Sequence, residues 1–355
     1  MSKPDLTPSF HLKIDPKDYE PATISERQSL EVMRESVSFW KEGLHRFIRN
    51  KIAMVSFVVI VVFLICAFIV PSIYPYSYEH MDKQSGNLMP MEYSAYEQEL
   101  MANGEKVFPH LMGTDQLGRD TMIRLFMGSR ISLLVGMIAS FIILMIGSIY
   151  GAISGYFGGY IDMIMMRVVD IIYTVPDILI IILLRVTLKN PLQSLADNVP
   201  GFSWINKVGV SLICIFVVFA LLYWVGMARI VRGQILSLKQ QEFVIAAKAL
   251  GASGGRIIRK HLLTNCIGTL IITTTLQIPS SIFTESFLSF LGIGVAAPMP
   301  SLGSMASEAL SGIWSYPHRL ISASVYISLV ILSFNLLGDG LRDAFDPRLK
   351  NDGVK

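Results

Sequence analysis

The feature that most constrains this chain is a series of long apolar runs separated by polar segments. The first run extends from Ile52 to Val70 without a charged residue and stops at Pro71. A helix that spans a bilayer needs about 20 predominantly apolar residues, so this run is long enough to cross a membrane. Five further runs have comparable length, at about residues 131–150, 163–184, 208–227, 266–288 and 321–337. The sequence therefore predicts an all-α, polytopic membrane protein with six transmembrane helices.

The composition excludes several other classes of protein. Hydrophobic residues make up 52% of the 355 positions and charged residues only 16%, whereas a soluble domain usually carries about 25% charged residues. This balance argues against an ordinary soluble enzyme and against a disordered chain. The net charge of +3 is too small to indicate a nucleic-acid partner. All three cysteines lie in apolar runs, which favours small buried side chains over a disulfide framework.

Lysine and arginine residues are unevenly distributed between the two sets of loops. They are concentrated just before the first run, between the fourth and fifth runs, and after the sixth run. The long loop after the first run is instead rich in Asp and Glu. Because cytoplasmic loops carry the excess of Lys and Arg, we expect both termini and the loop 229–262 to be cytoplasmic. The loop 75–129 is then extracytoplasmic, in a protein of the plasma or inner membrane.

The remaining segments complete a predicted domain order. Apolar residues recur at helical spacing beside Arg and Lys before the first run, which predicts an amphipathic helix on the inner membrane face. A plain cytoplasmic extension of the first helix is the alternative. The predicted parts are a poorly ordered tail at 1–33, the interfacial helix at 34–50, the first transmembrane helix at 51–74, the extracytoplasmic loop at 75–129, a core of five transmembrane helices at 130–340 and a cytoplasmic tail at 341–355.

The familiar motifs of catalysis and cofactor binding are missing from the sequence. It has no G-x-x-x-x-G-K-[ST] run, so we expect no ATP site in this chain. It has neither H-E-x-x-H nor Cys and His residues at zinc spacing, so we expect no metal site. The sequence therefore predicts no catalytic residue and no cofactor held by this chain.

The predicted cytoplasmic loop 229–262 has an unusual pattern. Residues from Glu242 to Leu250 are strong helix formers, Gly251 is a natural helix terminator, and a second helix can start at Arg256. The alanines at 246, 247 and 249 are small enough to allow close approach by another protein. The alternative is a basic, solvated loop held to lipid headgroups. Composition alone leaves both interpretations open.

This helix–turn–helix resembles the EAA motif of binding-protein-dependent ABC importer permeases. In that family an E-A-A triplet is followed by Gly four residues after its second Ala, and later by Leu-Pro. Here Ile245 stands in place of the acidic residue and Thr264 in place of the proline, with Glu242 as a nearby source of acidic character. The resemblance implies a short coupling helix that contacts an ATPase. Its candidate residues are Glu242, Ala246, Ala247, Gly251, Ala252 and Arg256.

Other segments narrow the resemblance to the C-type permease subunits of the oligopeptide, dipeptide and nickel branch. The matching segments are 113–120, 128–133, 169–171 with 175–176, 285–294 and 338–348. The resemblance implies a type I ABC importer permease fold and a heterodimer with a homologous permease. It also implies two ATPase subunits that bind the ATP, and an extracytoplasmic peptide-binding protein.

Charged residues inside the apolar runs are candidates for the solute path, because such residues usually face protein or water. Asp177 follows Pro176, where a helix can kink, and it could line a cavity or contact the partner permease. Glu285 precedes Ser286 and Ser289, and these three could form a wall or gate of the path, or a contact within the bundle. Arg167 and Asp170 are three residues apart and could pair on one helix face.

Two rival functions remain open at this stage. An ion-coupled secondary transporter would also use intramembrane carboxylates, and it would need no separate ATPase. An importer of the same fold could carry nickel or another small solute instead of peptides. The preferred expectation is the permease subunit of an ATP-driven peptide importer.

Overall fold

The structure is a computed structural model that describes residues 39–345. The predicted tail at 1–33, residues 34–38 and the end of the C-terminal tail from 346 lie outside the described residues. Over the described range the chain is built of helices, with one isolated bridge between Thr114 and Asp120 and no strand. The predicted all-α fold class is confirmed.

Within residues 39–345, six helices are long and apolar enough to cross a membrane. They are α2 (Lys51–Ile73), α4 (Thr121–Phe157), α6 (Asp177–Asn198), α8 (Val210–Leu238), α11 (Ile267–Phe290) and α13 (Pro317–Phe345). The other α-helices of at least four residues in the described range are α1 (Phe39–Arg49), α3 (Ala95–Ala102), α5 (Gly159–Thr174), α7 (Trp204–Val208), α9 (Glu242–Ala249), α10 (Gly254–Ile257) and α12 (Leu302–Ala309). The predicted number of six spanning helices is confirmed.

The described chain divides between Gly43 and Leu44 into two units. Of the first unit the structure describes only residues 39–43, which form the beginning of α1. Every contact discussed below lies within the second unit. There, Asn50 starts α2 as an N-cap, because its Oδ1 accepts hydrogen bonds from the backbone N–H groups of Ile52 and Ala53 at 3.1 and 3.2 Å.

The predicted third span is wrong in its position. The sequence suggested one helix over about 163–184, but α5 ends at Thr174 and α6 begins at Asp177. Val175 is extended, with φ −85° and ψ 134°, because a residue that precedes proline is driven out of the helical region. The spanning helix is therefore α6. Two other predicted boundaries also shift, since α4 already begins at Thr121 and α13 continues to Phe345.

The helix α4 is the central element of the bundle. It packs along α8 and α11, while α13 packs against α11 and α2. Glycines at four-residue spacing allow α8 to approach closely: a Cβ atom on Gly151 would lie 2.4 Å from the carbonyl oxygen of Ala228, and one on Gly147 2.6 Å from Cβ of Met227. Small residues at this spacing are a common interface between membrane helices.

We call residues 75–120 the outer segment and residues 239–266 the inner segment, after the predicted orientation. Successive spanning helices alternate in direction, so the two segments lie at opposite ends of the bundle. The outer segment meets the loop before α13, as Gln116 Nε2 donates to Ser311 Oγ at 2.7 Å. The inner segment meets the other end of α4, as Lys239 Nζ donates to the carbonyl of Gly155 at 2.9 Å.

Candidate functional site

The first helix of the inner segment ends in a glycine turn. Gly251 has φ +79°, a conformation that residues with a Cβ rarely adopt. The N–H of Ala252 donates to the carbonyl of Ala247, and the N–H of Gly251 to that of Lys248, at 3.0 and 2.9 Å. These bonds close the end of α9 in the manner of a Schellman motif. The chain then re-enters helix at Gly254, so the predicted helix–turn–helix is present.

The two predicted coupling alanines face opposite ways. Ala247 is 9% exposed and packs with Val244, Ile257 and Leu262 in the protein core. Its small side chain therefore serves packing within this chain, and the expectation that it contacts a partner is corrected. Ala246 lies on the exposed side of the same helix.

The exposed side of α9 carries a group of apolar side chains, which we call the docking face. Its members are Phe243, Ile245, Ala246 and Leu250, and Leu250 is 88% exposed. The side chain of Ile245, which stands where the family has an acidic residue, is thus turned outward. Of the other predicted coupling residues, Glu242, Gly251 and Arg256 are exposed and Ala252 is half-buried.

Polar contacts join the inner segment to the end of α4, and α8 to α5. Arg232 donates from Nε and Nη2 to the carboxylate of Asp162, both at 2.5 Å. The hydrogen bonds from Arg232, together with that from Ser154, hold the pKa of Asp162 below its usual value. Lys248 lies over the ring of Tyr156 at 5.4 Å. Movement of the inner segment is therefore tied directly to α4 and α8.

The break before α6 opens into a cavity of about 480 Å³. Asp177 lines this cavity with the Val175–Pro176 break and with Tyr223 of α8, whose hydroxyl donates to Asp177 Oδ2 at 3.3 Å. The predicted pair of Arg167 with Asp170 does not form, since Asp170 is bound by Arg229 at 2.8 Å. Asp177 is thus a predicted path residue that borders this cavity.

Glu285 lies elsewhere, in a closed group of serines. It is fully buried, and its carboxylate accepts from Ser132 at 2.6 Å, from Ser289 at 2.7 Å and from Ser286 at 3.4 Å. Ser289 Oγ in turn accepts from the N–H of Val295 at 3.0 Å. These bonds join α4, α11 and the loop before α12. The geometry is that of a contact within the bundle, and Glu285 does not line the Asp177 cavity.

The outer segment contains a buried charged cluster that sequence reasoning missed. His110 contacts Asp120 through Nδ1 at 2.7 Å and Glu97 through Nε2 at 2.9 Å. Tyr76 stacks on the imidazole at 4.5 Å, and Tyr74 donates to Asp120 at 3.3 Å. Burial alone lowers the pKa of His110, but the hydrogen bonds and charges of the two carboxylates outweigh it and raise this pKa above 6.5.

The cluster organises the start of α4. Asp120 Oδ1 accepts from the N–H of Ile123 at 3.0 Å and so caps α4, while Glu97 belongs to the capping box of α3 with Ser94. His110 therefore connects the N-terminal ends of α3 and α4. The segment 113–120 resembles the peptide importer permeases, but His110 and Glu97 lie outside it. These two residues are separated in sequence, and no motif in the sequence indicates that they meet.

Comparison with known proteins decides the family. A sequence model described as "Binding-protein-dependent transport system inner membrane component" matches residues 143–351. A second model, the N-terminal TM domain of oligopeptide transport permease C, matches residues 38–90. The chain belongs to the family of binding-protein-dependent inner-membrane transport components.

Relatives of this transport-permease family match over nearly the whole chain. The chain is 38% identical over 332 residues to the oligopeptide transport system permease protein OppC of Bacillus subtilis (strain 168), covering 94% of this chain and 97% of the relative. It is 40% identical to the dipeptide transport system permease protein DppC of the same organism, covering 91% and 90%. It is 33% identical to the glutathione transport system permease protein GsiD of Pectobacterium atrosepticum, covering 88% and 92%.

The family match covers the inner segment and the Asp177 cavity together. The predicted resemblance to ABC importer permeases of the peptide branch is confirmed, and the chain is a multi-pass membrane permease that works with other transport subunits. This family match argues against the rival secondary transporter.

Proposed function

We propose that this permease imports short peptides, as one half of a path completed by a homologous permease. The observation that carries the proposal is the similarity over nearly the full chain to permeases named for oligopeptides and dipeptides. The Asp177 cavity and the lightly buried α6, with its exposed Leu179, Leu183 and Val186, supply a surface for the second permease. An importer of nickel or of another small solute is the alternative that solute uptake distinguishes.

The energy comes from two cytoplasmic ATPases that bind the ATP, so this chain carries no cofactor. The docking face of α9 is proposed to seat in the groove of one ATPase, because exposed apolar side chains on a short helix are typical of a protein contact. A conformational change on ATP binding reaches α4 through Lys239, which anchors the inner segment to Gly155, and it reaches α8 because the inner segment continues directly from that helix. Each ATPase state must contact this segment differently to bias the two states of the path.

Leu250→Asp tests the docking face. Leu250 is highly exposed, so a charge there leaves the fold intact while it enters the proposed ATPase contact. Peptide uptake and recovery of the ATPases with the permease should fall at least about tenfold, as expected for loss of a central apolar contact. Met81→Asp, at an exposed apolar residue of the outer segment, is the matched control. Equal uptake and equal ATPase recovery for wild type and Leu250→Asp would refute the docking assignment.

The proposed orientation places the inner segment in the cytoplasm and the outer segment outside. Single cysteines at the exposed positions Gln240 and Gln98, in a background without Cys66, Cys214 and Cys266, report it. An impermeant thiol reagent added to intact cells should label position 98 and spare position 240. The reverse pattern would overturn the orientation.

The purified subunit alone is proposed neither to bind nor to hydrolyse ATP. Nucleotide binding by the isolated, monodisperse permease would contradict the assignment of all ATP chemistry to the partners. The measurement is equilibrium binding of a fluorescent ATP analogue, with the assembled complex as the positive control.

A further inference from the structure

A second cavity, of about 520 Å³, lies between the outer segment and the segment that follows α11. Its polar lining includes Asp115, Arg119, Arg124, Glu308 and Arg319. Three guanidinium groups thus share this cavity with two carboxylates. The lining carries one positive charge in excess.

Both carboxylates form salt bridges with the same two arginines. Asp115 is bound by Arg119 at 2.7 Å and by Arg124 at 2.5 Å. Glu308 is bound by the same arginines at 2.9 and 2.8 Å. The excess charge therefore belongs to the third arginine, Arg319.

Arg319 is 6% exposed and has no carboxylate partner among the described residues. Its Nη1 donates to Asn87 Oδ1 at 3.0 Å, and its guanidinium lies over the ring of Tyr316 at 4.3 Å. Its Nε and Nη2 have no hydrogen-bond partner in the described part of the chain. A buried guanidinium without a counter-charge is costly, and this cost is relieved when an anion is supplied.

Further unsatisfied groups surround the same cavity. Nε of Arg124 and Oγ1 of Thr121 are also buried without a partner over residues 39–345, and both residues line the cavity. Buried side-chain atoms without a hydrogen-bond partner number eight over residues 39–345. These two atoms and the two nitrogens of Arg319 make up half of them. Nε and Nη2 form one edge of the guanidinium, which matches a carboxylate in a bidentate pair. Both nitrogens are covered by protein atoms in this structure. An approaching carboxylate is therefore attracted first by the uncompensated positive charge of Arg319.

The surface beside the cavity favours a protein as the source of the carboxylate. Trp314, three residues after the cavity residue Ser311, is 95% exposed. Tryptophan and arginine are the residues that most often dominate protein–protein contacts. A delivered peptide alone would not explain an exposed tryptophan outside the cavity.

We propose that this cavity receives one Asp or Glu side chain of the extracytoplasmic binding protein when that protein docks on the outer face. Arg319 supplies the counter-charge for the inserted carboxylate, and Trp314 packs against the surrounding surface of the partner. The inference rests on the proposed import function and adds the residues and the chemistry of docking. Because the contact pairs opposite charges, docking weakens as the salt concentration rises.

The experiment uses the complete complex of both permeases and both ATPases in lipid nanodiscs. Its affinity for the purified cognate binding protein is measured by biolayer interferometry at low and high salt. Arg319→Gln removes the charge, and Lys106→Gln removes an equal charge from an exposed site on the outer segment, which borders the same cavity. Trp314→Ala is paired with Trp204→Ala, a second exposed tryptophan on the same side of the bundle.

We expect Arg319→Gln to weaken docking at least about tenfold, as is typical for truncation of one partner of a buried charge pair. Trp314→Ala should weaken docking by a similar factor, and the two controls by less than about twofold. The proposal would be overturned if the Arg319→Gln and Lys106→Gln complexes had equal affinity for the binding protein. If the wild-type complex neither docks a binding protein nor transports peptide, the proposed function itself fails.

A second measurement tests the proposal even if the Arg319→Gln permease does not assemble into the complex. Single Asp→Asn and Glu→Gln variants of the binding protein are titrated onto the wild-type complex. One acidic residue should reproduce the tenfold loss. Its substitution should still weaken docking to Arg319→Lys, because lysine keeps the positive charge. Uniformly small effects of every acidic substitution would also overturn the proposal. If Arg319→Gln instead weakens the binding of a free dipeptide but not of its C-terminal amide, the cavity is assigned to cargo and the docking role is rejected.

Discussion

The outer segment contains a buried cluster of paired charges, whereas the charged residues of the inner segment are not buried. In the outer segment, His110, Arg119, Glu97 and Asp120 are buried, Asp115 is half-buried, and all five are paired within the chain. In the inner segment, Glu242, Arg256, Arg259 and Lys260 are exposed, beside the apolar docking face. Buried charges that are paired within a segment make it rigid, whereas an exposed group of apolar side chains is suited to a partner. The difference separates an end that contains a buried, paired charge cluster from an end that presents an exposed face proposed for coupling.

The largest expected effect tests the two faces of α9. Ala247→Glu places a charge in the core beside Val244 and Leu262, and it should destabilise the permease by more than about 3 kcal/mol. Ala246→Glu, on the exposed face, should leave stability unchanged and reduce ATPase recovery. The measurements are the melting temperature of the purified permease and the amount of co-purified ATPase. Similar behaviour of both variants would break the distinction between the faces.

The second prediction removes the cation of the outer cluster. His110→Leu leaves Glu97 and Asp120 buried without their partner, and the free energy of unfolding should fall by about 3 kcal/mol, as for other broken buried pairs. His80→Leu changes an exposed histidine of the same segment and should cost far less. Thermal melting at pH 6.5 gives the comparison. Equal melting temperatures for the two variants would show that the outer segment does not depend on its buried cluster.

The third prediction concerns the glycine turn. A Cβ on Gly251 meets no atom within 4 Å, but its φ of +79° strains any β-branched residue. Gly251→Val should therefore cost about 1–2 kcal/mol and lower peptide uptake at matched membrane levels. Gly255→Ala is the control, since its Cβ also has open space and its φ is not positive. Normal uptake and ATPase recovery for Gly251→Val would argue that the turn geometry has no part in coupling.

The smallest expected effect is a pH dependence confined to the outer segment. The pKa of His110 is raised in the folded protein above the 6.5 of an ordinary histidine. Its stabilisation is therefore complete below pH 6.5, and it is lost as the pH rises through the folded pKa. The melting temperature of the wild type should fall from pH 6.5 to pH 9 by more than that of His110→Leu. Parallel pH profiles would contradict a protonated His110 in the folded state.

Much of the fold followed from local patterns. The uncharged run from Ile52 to Val70 and its five successors predicted six helices because each must be apolar over the thickness of a bilayer. Gly251 marked the end of α9 because glycine tolerates a positive φ. The break at Pro176 was visible as a proline, but hydropathy alone ran through it, so the third span was placed too early in the chain.

The candidate site was only partly predictable for a different reason. The sequence by itself determined the six spanning helices, the inner helix–turn–helix and the family resemblance, since these depend on periodicity and on neighbouring residues. Tertiary structure decided that Ala247 faces the core and Ala246 faces outward, and that Glu285 is held by Ser132 from another helix. It also brought together His110 with Glu97, and Arg124 with Glu308, across long separations in sequence. Pairing of charges depends on distance in space and on exclusion from water, and neither quantity is recorded in the order of the residues.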